Sequence, residues 1–291
     1  MRNKRLMLLV AAATTAVLAL AAAAVGGAVV FGGLYDVAAT QQHFQLTHRV
    51  LEAAMRGSVK LRARDIQEPP LADDALALRG AACFRDKCVQ CHGAPGVAPD
   101  DLGKSMQPLP GPLVDARHHW RARELYWVTR HGIRMSGMPA WEFRLRDEEI
   151  WEVVAFLQRL PDLGAPQYAE WMRRAPAAPS CGPDAVRTAG ATAPPASAAV
   201  DAERGRIALH QHACNACHVI PGVTGARVHV GPSLAGIGIR QTIAGTLPNT
   251  TEGMVRWITA TQEVKPGTAM PEMGVSERDA RDMAAYLATL R

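Results

Sequence analysis

The sequence predicts an all-α chain, with two helical domains in tandem behind one N-terminal apolar helix. Three observations carry that prediction. No charged residue occurs from Leu6 to Leu34, a run longer than a core helix needs. The same ordered set of short motifs then occurs twice, around residues 79–157 and again around 204–287. Between the copies, 21 of the 28 residues of the 173–200 stretch are Ala, Pro, Gly, Ser or Thr, a composition that cannot bury a core of its own.

The apolar run comes first. Its 29 residues would reach about 43 Å as a helix, more than the ~30 Å interior of a bilayer. Segment 6–34 is therefore expected to be a transmembrane anchor. The basic segment 1–5, with Arg2, Lys4 and Arg5, would be held in the cytoplasm. A cleaved signal peptide is the alternative. Ala21 to Ala24 offer small residues for a cleavage site, although the apolar stretch continues through Phe31. Both readings export the rest of the chain, and the expected location is the bacterial inner membrane with the folded domains in the periplasm.

Segment 35–75 is expected to hold a juxtamembrane helix over 41–66. Leu51, Met55 and Val59 recur at four-residue spacing, and Pro69-Pro70 ends the pattern. Its Arg56, Lys60, Arg62 and Arg64 face either lipid headgroups or solvent beside the next domain.

The two domains are placed at 76–172 and 201–291, joined by a linker over 173–200 that would let them move independently. The chain carries a net charge of +5, yet the first domain has 12 basic and 12 acidic residues and the second 9 and 8. Neither is a basic patch, which excludes nucleic acid as the main partner.

The repeat aligns element by element. Arg79-Gly80, Cys88-Val89-Gln90-Cys91-His92, Gly137-Met138-Pro139 and Ala155-Phe156-Leu157 answer to Arg204-Gly205, Cys214-Asn215-Ala216-Cys217-His218, Ala269-Met270-Pro271 and Ala285-Tyr286-Leu287. The separation from the first Cys to the Met is 50 residues in one copy and 56 in the other.

C-x-x-C-H points to covalent attachment of c-type haem. Two thiols three positions apart on one helical turn can each add to a vinyl group of one porphyrin. The adjacent His then reaches the iron through one ring nitrogen while the other is fixed by an acceptor. Two haems are expected, on Cys88 and Cys91 and on Cys214 and Cys217, with His92 and His218 as iron ligands. A zinc site is disfavoured because the paired motifs lie 126 residues apart rather than about 15–20. No βαβ pattern supports a thioredoxin-like site. Haem would also fill cores in which aromatics are only 5% of residues.

The sixth ligands are expected to be Met138 and Met270, each followed by a Pro that stiffens its loop. Met135, Met273 and Met106 are the rival thioethers. His118, His119, His131, His210, His212 and His229 are the rival imidazoles.

Both halves resemble class I cytochrome c domains, and the whole is similar to membrane-anchored di-haem cytochromes c. The resemblance implies a helix with a Gly and an aromatic before C-x-x-C-H, crossed by a C-terminal helix. Gly80, Phe84 and Gly205 fit that pattern. In the second domain His210 stands at the aromatic position, and one extra residue precedes Cys214. The crossing helices would be 147–159 and 276–290. The resemblance also implies a Pro whose carbonyl accepts the proximal His N–H, which points to Pro232 and, less well spaced, to Pro112. Asn249-Thr250, Trp257-Ile258 and Lys265 through Pro271 are similar to cytochrome c domains that serve haem–copper oxidases.

Cys83 and Cys181 remain. In an oxidising compartment they could pair, or stand as a buried residue and a free linker thiol.

The function these features imply is single-electron transport in a respiratory chain, toward a terminal oxidase, by a protein that is not itself an enzyme. The alternatives are the cytochrome subunit of a periplasmic dehydrogenase, which changes the partner, and a di-haem peroxidase, which would need one iron with an open position.

Overall fold

The computed structural model describes residues 2–41, 44–177, 181–182, 199–225, 228 and 230–291. Among the described residues the regular elements are helical apart from one short antiparallel pair, Thr242–Ile243 with Leu247–Pro248, and an isolated bridge between Ala94 and Val97. Helix α1 (Arg2–Phe31) is long and apolar enough to cross a membrane, and none of its apolar window is buried by the rest of the chain. It ends before Gly33, whose φ of +66° favours glycine.

Helix α2 (Gln45–Ala63) is shorter than the 41–66 expected. It turns Val59 and Ala63 into the first domain. Arg56 stacks over the Trp120 ring at 5.2 Å, while Lys60, Arg62 and Arg64 remain exposed.

The first domain continues with α3 (Asp74–Lys87), α4 (Val89–His92), α5 (Asp101–Lys104), α6 (Ala116–His119), α7 (Ala122–His131), α8 (Asp147–Arg159) and α9 (Ala165–Arg174). Asp73 caps α3 by accepting from the Ala75 N–H. Asp147, Glu148 and Glu149 open α8, where acidic side chains complement the helix dipole. Helices α3 and α8 cross at Gly80, because a Cβ there would sit 1.8 Å from the Glu152 carbonyl oxygen. The crossing brings Phe84 against Phe156 at 5.2 Å between ring centroids. Ile150, Val153, Val154 and Leu157 complete this core, and Tyr168 of α9 closes it beside Phe156.

The second domain repeats the plan with α10 (Ala202–Gln211), α11 (Thr251–Thr259), α12 (Thr261–Val264) and α13 (Glu277–Thr289). Gly205 meets the Asp282 carbonyl oxygen as Gly80 meets Glu152, with a Cβ that would sit 1.9 Å away. Asp201 caps α10, and Ser276 caps α13. The position expected for His210 is filled differently: His210 is exposed, and the neighbouring Ala208 and Leu209 are buried. The extra residue before Cys214 is absorbed by Ala213, which adopts a φ of +56° after the helix has ended.

Cys83 and Cys181 form a disulfide, with Cα atoms 5.4 Å apart. The start of the connection therefore belongs to the first domain. Helix α9 runs through Arg174, inside the segment expected to be linker, and residues 183–198 lie outside the described residues. The domains are also in contact. Phe143 of the first packs among core residues of the second.

Candidate functional site

Each C-x-x-C-H sits at the end of its domain's N-terminal helix. In the first domain α3 gives way at Cys88 to the single turn of α4, which carries Cys91 and His92. In the second a 3-10 turn, Cys214–Ala216, carries the first Cys, with Cys217 and His218 just after it. All four cysteines are free and partly buried. Burial pushes the Cys88 thiol up to about 12 and the Cys214 thiol up to about 11. Protonated thiols are poor metal ligands and poor partners for disulfide exchange. Among the described residues, no three His, Cys, Asp or Glu side chains converge on a metal-sized site.

The two histidines are held alike. His92 Nδ1 lies 2.7 Å from the Gly111 carbonyl oxygen, and His218 Nδ1 lies 2.7 Å from that of Pro232. A carbonyl only accepts, so Nδ1 carries the proton and Nε2 presents its lone pair. Pro232 is the acceptor expected. In the first domain the acceptor is Gly111 rather than Pro112, which shifts the contact by one residue along a loop of different length. Burial lowers the His92 pKa, while its bond to Gly111 opposes that shift, and the neutral form that ligates iron is favoured. Gly231 makes the approach in the second domain possible, since a Cβ there would fall 2.5 Å from the His218 ring.

The methionine loops are braced from within. The Ser136 hydroxyl donates to the Ile133 carbonyl and accepts from the Met138 N–H, and the Ile133 N–H donates to the Met138 carbonyl. Gln262 does the same work in the second domain, donating to the Thr268 and Met270 carbonyls and accepting from the Gly267 N–H. Met138 and Met270 are partly buried. Met135 is 92% exposed and Met273 38% exposed. Met106 is partly buried, with its sulfur against Gly137, and is the nearer rival of Met138.

The rival histidines are engaged elsewhere. His118 and His119 pair with Asp115, His131 with Glu142, and His210 with Asn215. His212 is buried beside Asp279 at 3.5 Å. His229 lies outside the described residues. Gly111, Gly231, Ser136 and Gln262 carry no signal in the sequence, because their roles depend on loops folding back onto His and Met. Asn249 has a structural part, its amide donating to the Ile237 and Arg240 carbonyls at 2.8 Å each.

Paired thiols beside an imidazole whose Nδ1 is held by a carbonyl are the donor set of c-type haem. Comparison with known proteins agrees. Residues 75–157 match the family of cytochrome c oxidase, cbb3-type, subunit III, and residues 202–291 match the cytochrome c family. The chain carries two cytochrome c domains in tandem. It is also 35% identical over 91 residues to a cytochrome c oxidase subunit 2 of Alkalihalophilus pseudofirmus. That similarity takes in 31% of this chain and 26% of the relative, so the chain spans about a quarter of the protein it matches. A likeness to oxidase components was expected from the second cytochrome c domain, and the first domain matches an oxidase subunit family as well. Cytochrome c domains bind haem c and transfer electrons, and this chain is an electron-transfer protein of that kind.

Proposed function

We propose that the chain is a membrane-anchored di-haem cytochrome c that carries single electrons on the periplasmic side, toward a terminal oxidase. The observation that carries this reading is the duplicated constellation of C-x-x-C-H, a His with Nδ1 on a carbonyl, and a braced Met-Pro loop. Cys88 and Cys91, and Cys214 and Cys217, would each hold one haem through two thioethers. His92 and His218 would hold the iron through Nε2, and Met138 and Met270 would supply the second protein ligand to each.

When bound, haem supplies one-electron chemistry between ferric and ferrous iron. The chain's own residues set how that chemistry runs. Gly111 and Pro232 orient the imidazoles, and Ser136 and Gln262 hold the thioethers in place. His/Met ligation raises the potential relative to His/His, which suits delivery to an oxidase. Ligation by both a His and a Met would leave neither iron with the open position that a peroxidase needs. Helix α1 would anchor the chain, with its basic N-terminus in the cytoplasm. The matches to oxidase subunits support an oxidase as the acceptor.

A pull-down from detergent-solubilised membranes, followed by mass spectrometry, tests the partner. Recovery of haem–copper oxidase subunits is expected. Recovery of a periplasmic dehydrogenase in their place would make the chain that enzyme's cytochrome subunit.

A further inference from the structure

Phe143 belongs to the first domain by sequence and to the second by packing. It lies in the loop that leads into α8, yet it is only 8% exposed. Residues of the second domain enclose it. The Arg204 guanidinium lies 4.8 Å over its ring, and His212 meets it edge-on at 6.2 Å. Its neighbour Arg144 donates through Nη2 to the Gln211 carbonyl at 2.8 Å. That carbonyl sits in the last turn of α10, where helix carbonyls lack partners of their own.

The receiving face is built rather than incidental. Arg204 is gripped by Asp279 and Asp282 at 2.6 Å each, and both carboxylates are buried. The tether is also shortened on this side. Cys181 is held by its disulfide, and the Gly182 N–H donates to Glu149 at 2.9 Å. Gly182 lies against the Arg144 carbonyl, so the chain leaves the first domain beside the loop that docks. A short tether raises the effective concentration of one domain at the other, so a small interface suffices to hold them.

The residues of the interface are near those of both sites along the chain. Phe143 comes five residues after Met138. On the other side, the Cys214 sulfur contacts the His212 carbonyl oxygen at 3.9 Å.

We propose that Phe143 and Arg144 clamp the two cytochrome c domains into one rigid unit, so that electrons pass between two haems at fixed separation. The proposal rests on the reading that each domain binds a haem. The transfer balances within the chain: one ferrous haem loses the electron that reduces the other, ferric, haem. Domains joined only by the chain from 183 to 200, with no clamp, would instead scatter the two centres over on the order of 20 Å.

The test is pulsed paramagnetic resonance on the oxidised full-length holoprotein in detergent, reading the distance distribution between the two haem irons. Haem content is assayed on the same sample. Wild type should give a single narrow distance. Phe143→Ala combined with Arg144→Gln should broaden it toward the free-tether range, and Arg144→Gln alone, which leaves the buried ring in place, should broaden it part of the way. Two haems with a broad wild-type distribution would overturn the clamp and leave the di-haem reading intact. A narrow distribution that survives the double substitution would overturn the assignment to these residues. Fewer than two haems would overturn both the clamp and the di-haem reading.

Discussion

Gly80 abuts the backbone of Glu152 so closely that a Cβ on it would lie 1.8 Å from the carbonyl oxygen. The residue before it, Arg79, pairs with the Glu152 carboxylate at 2.6 Å. Arg204 and Gly205 repeat both contacts on Asp282, at 2.6 Å and with a Cβ that would lie 1.9 Å away. One helix crossing thus occurs twice, with its glycine and its ion pair.

Gly80→Ala and Gly205→Ala should each force their crossing helices apart. Overpacking of this kind costs about 1–3 kcal/mol, and the obstacle here is backbone that has no rotamer to change. Denaturant unfolding of the haem-loaded protein should show the larger loss in the domain that carries the substitution.

The methionine assignment predicts a simple pattern in the near-infrared Met–iron charge-transfer band of the oxidised protein. Met138→Ala and Met270→Ala should each remove about half of it, because two equivalent sites contribute. Met273→Ala and Met135→Ala should leave it unchanged. Met106→Leu should keep it as well, although its sulfur lies against Gly137. A band lost with Met106 and retained without Met138 would reassign the first domain's ligand.

Most of this plan was legible in the sequence because its signals are local. C-x-x-C-H, Met-Pro and the Arg-Gly pairs keep their order in both copies, and the crossing helix expected at 147–159 is Asp147–Arg159 in the structure. The remainder depends on contacts between distant segments. Gly111 rather than Pro112 meets His92 because a loop closes one residue earlier than the spacing suggested. Phe143 and Arg144 resemble an ordinary exposed loop until the second domain is seen to cover them. The independent motion inferred from an Ala/Pro-rich linker took no account of that cover, nor of the disulfide that holds Cys181 to α3.

The Cys83–Cys181 disulfide closes 98 residues of chain around the first domain. Cys83→Ala with Cys181→Ala should lower that domain's stability by about 2–5 kcal/mol. Calorimetry of the full chain should show the larger loss in the first domain's transition and a smaller one in the second, which borrows Phe143 from the first.

Asp279 gives the second domain an acid limit. Burial raises its carboxyl, but hydrogen bonds from His212 and Ser276, with the Arg204 charge, hold it below the ordinary carboxylate range. A carboxylate depressed by folding contributes stability above its unfolded value of about 3.9, and that contribution is lost as pH falls through the lower folded value. Urea midpoints should therefore hold down to about pH 4 and fall below it. Asp279→Asn should lower the midpoint at neutral pH and flatten the acid limb. An unchanged acid limb would assign it to other carboxylates.

The most direct test of the whole account is the intact mass of the matured protein together with haem stain after denaturing electrophoresis. The account predicts the polypeptide plus two haems that survive denaturation, one lost when Cys88 and Cys91 are replaced by Ala and the other lost when Cys214 and Cys217 are replaced. A single haem in the wild-type protein, or none that survives denaturation, would contradict it.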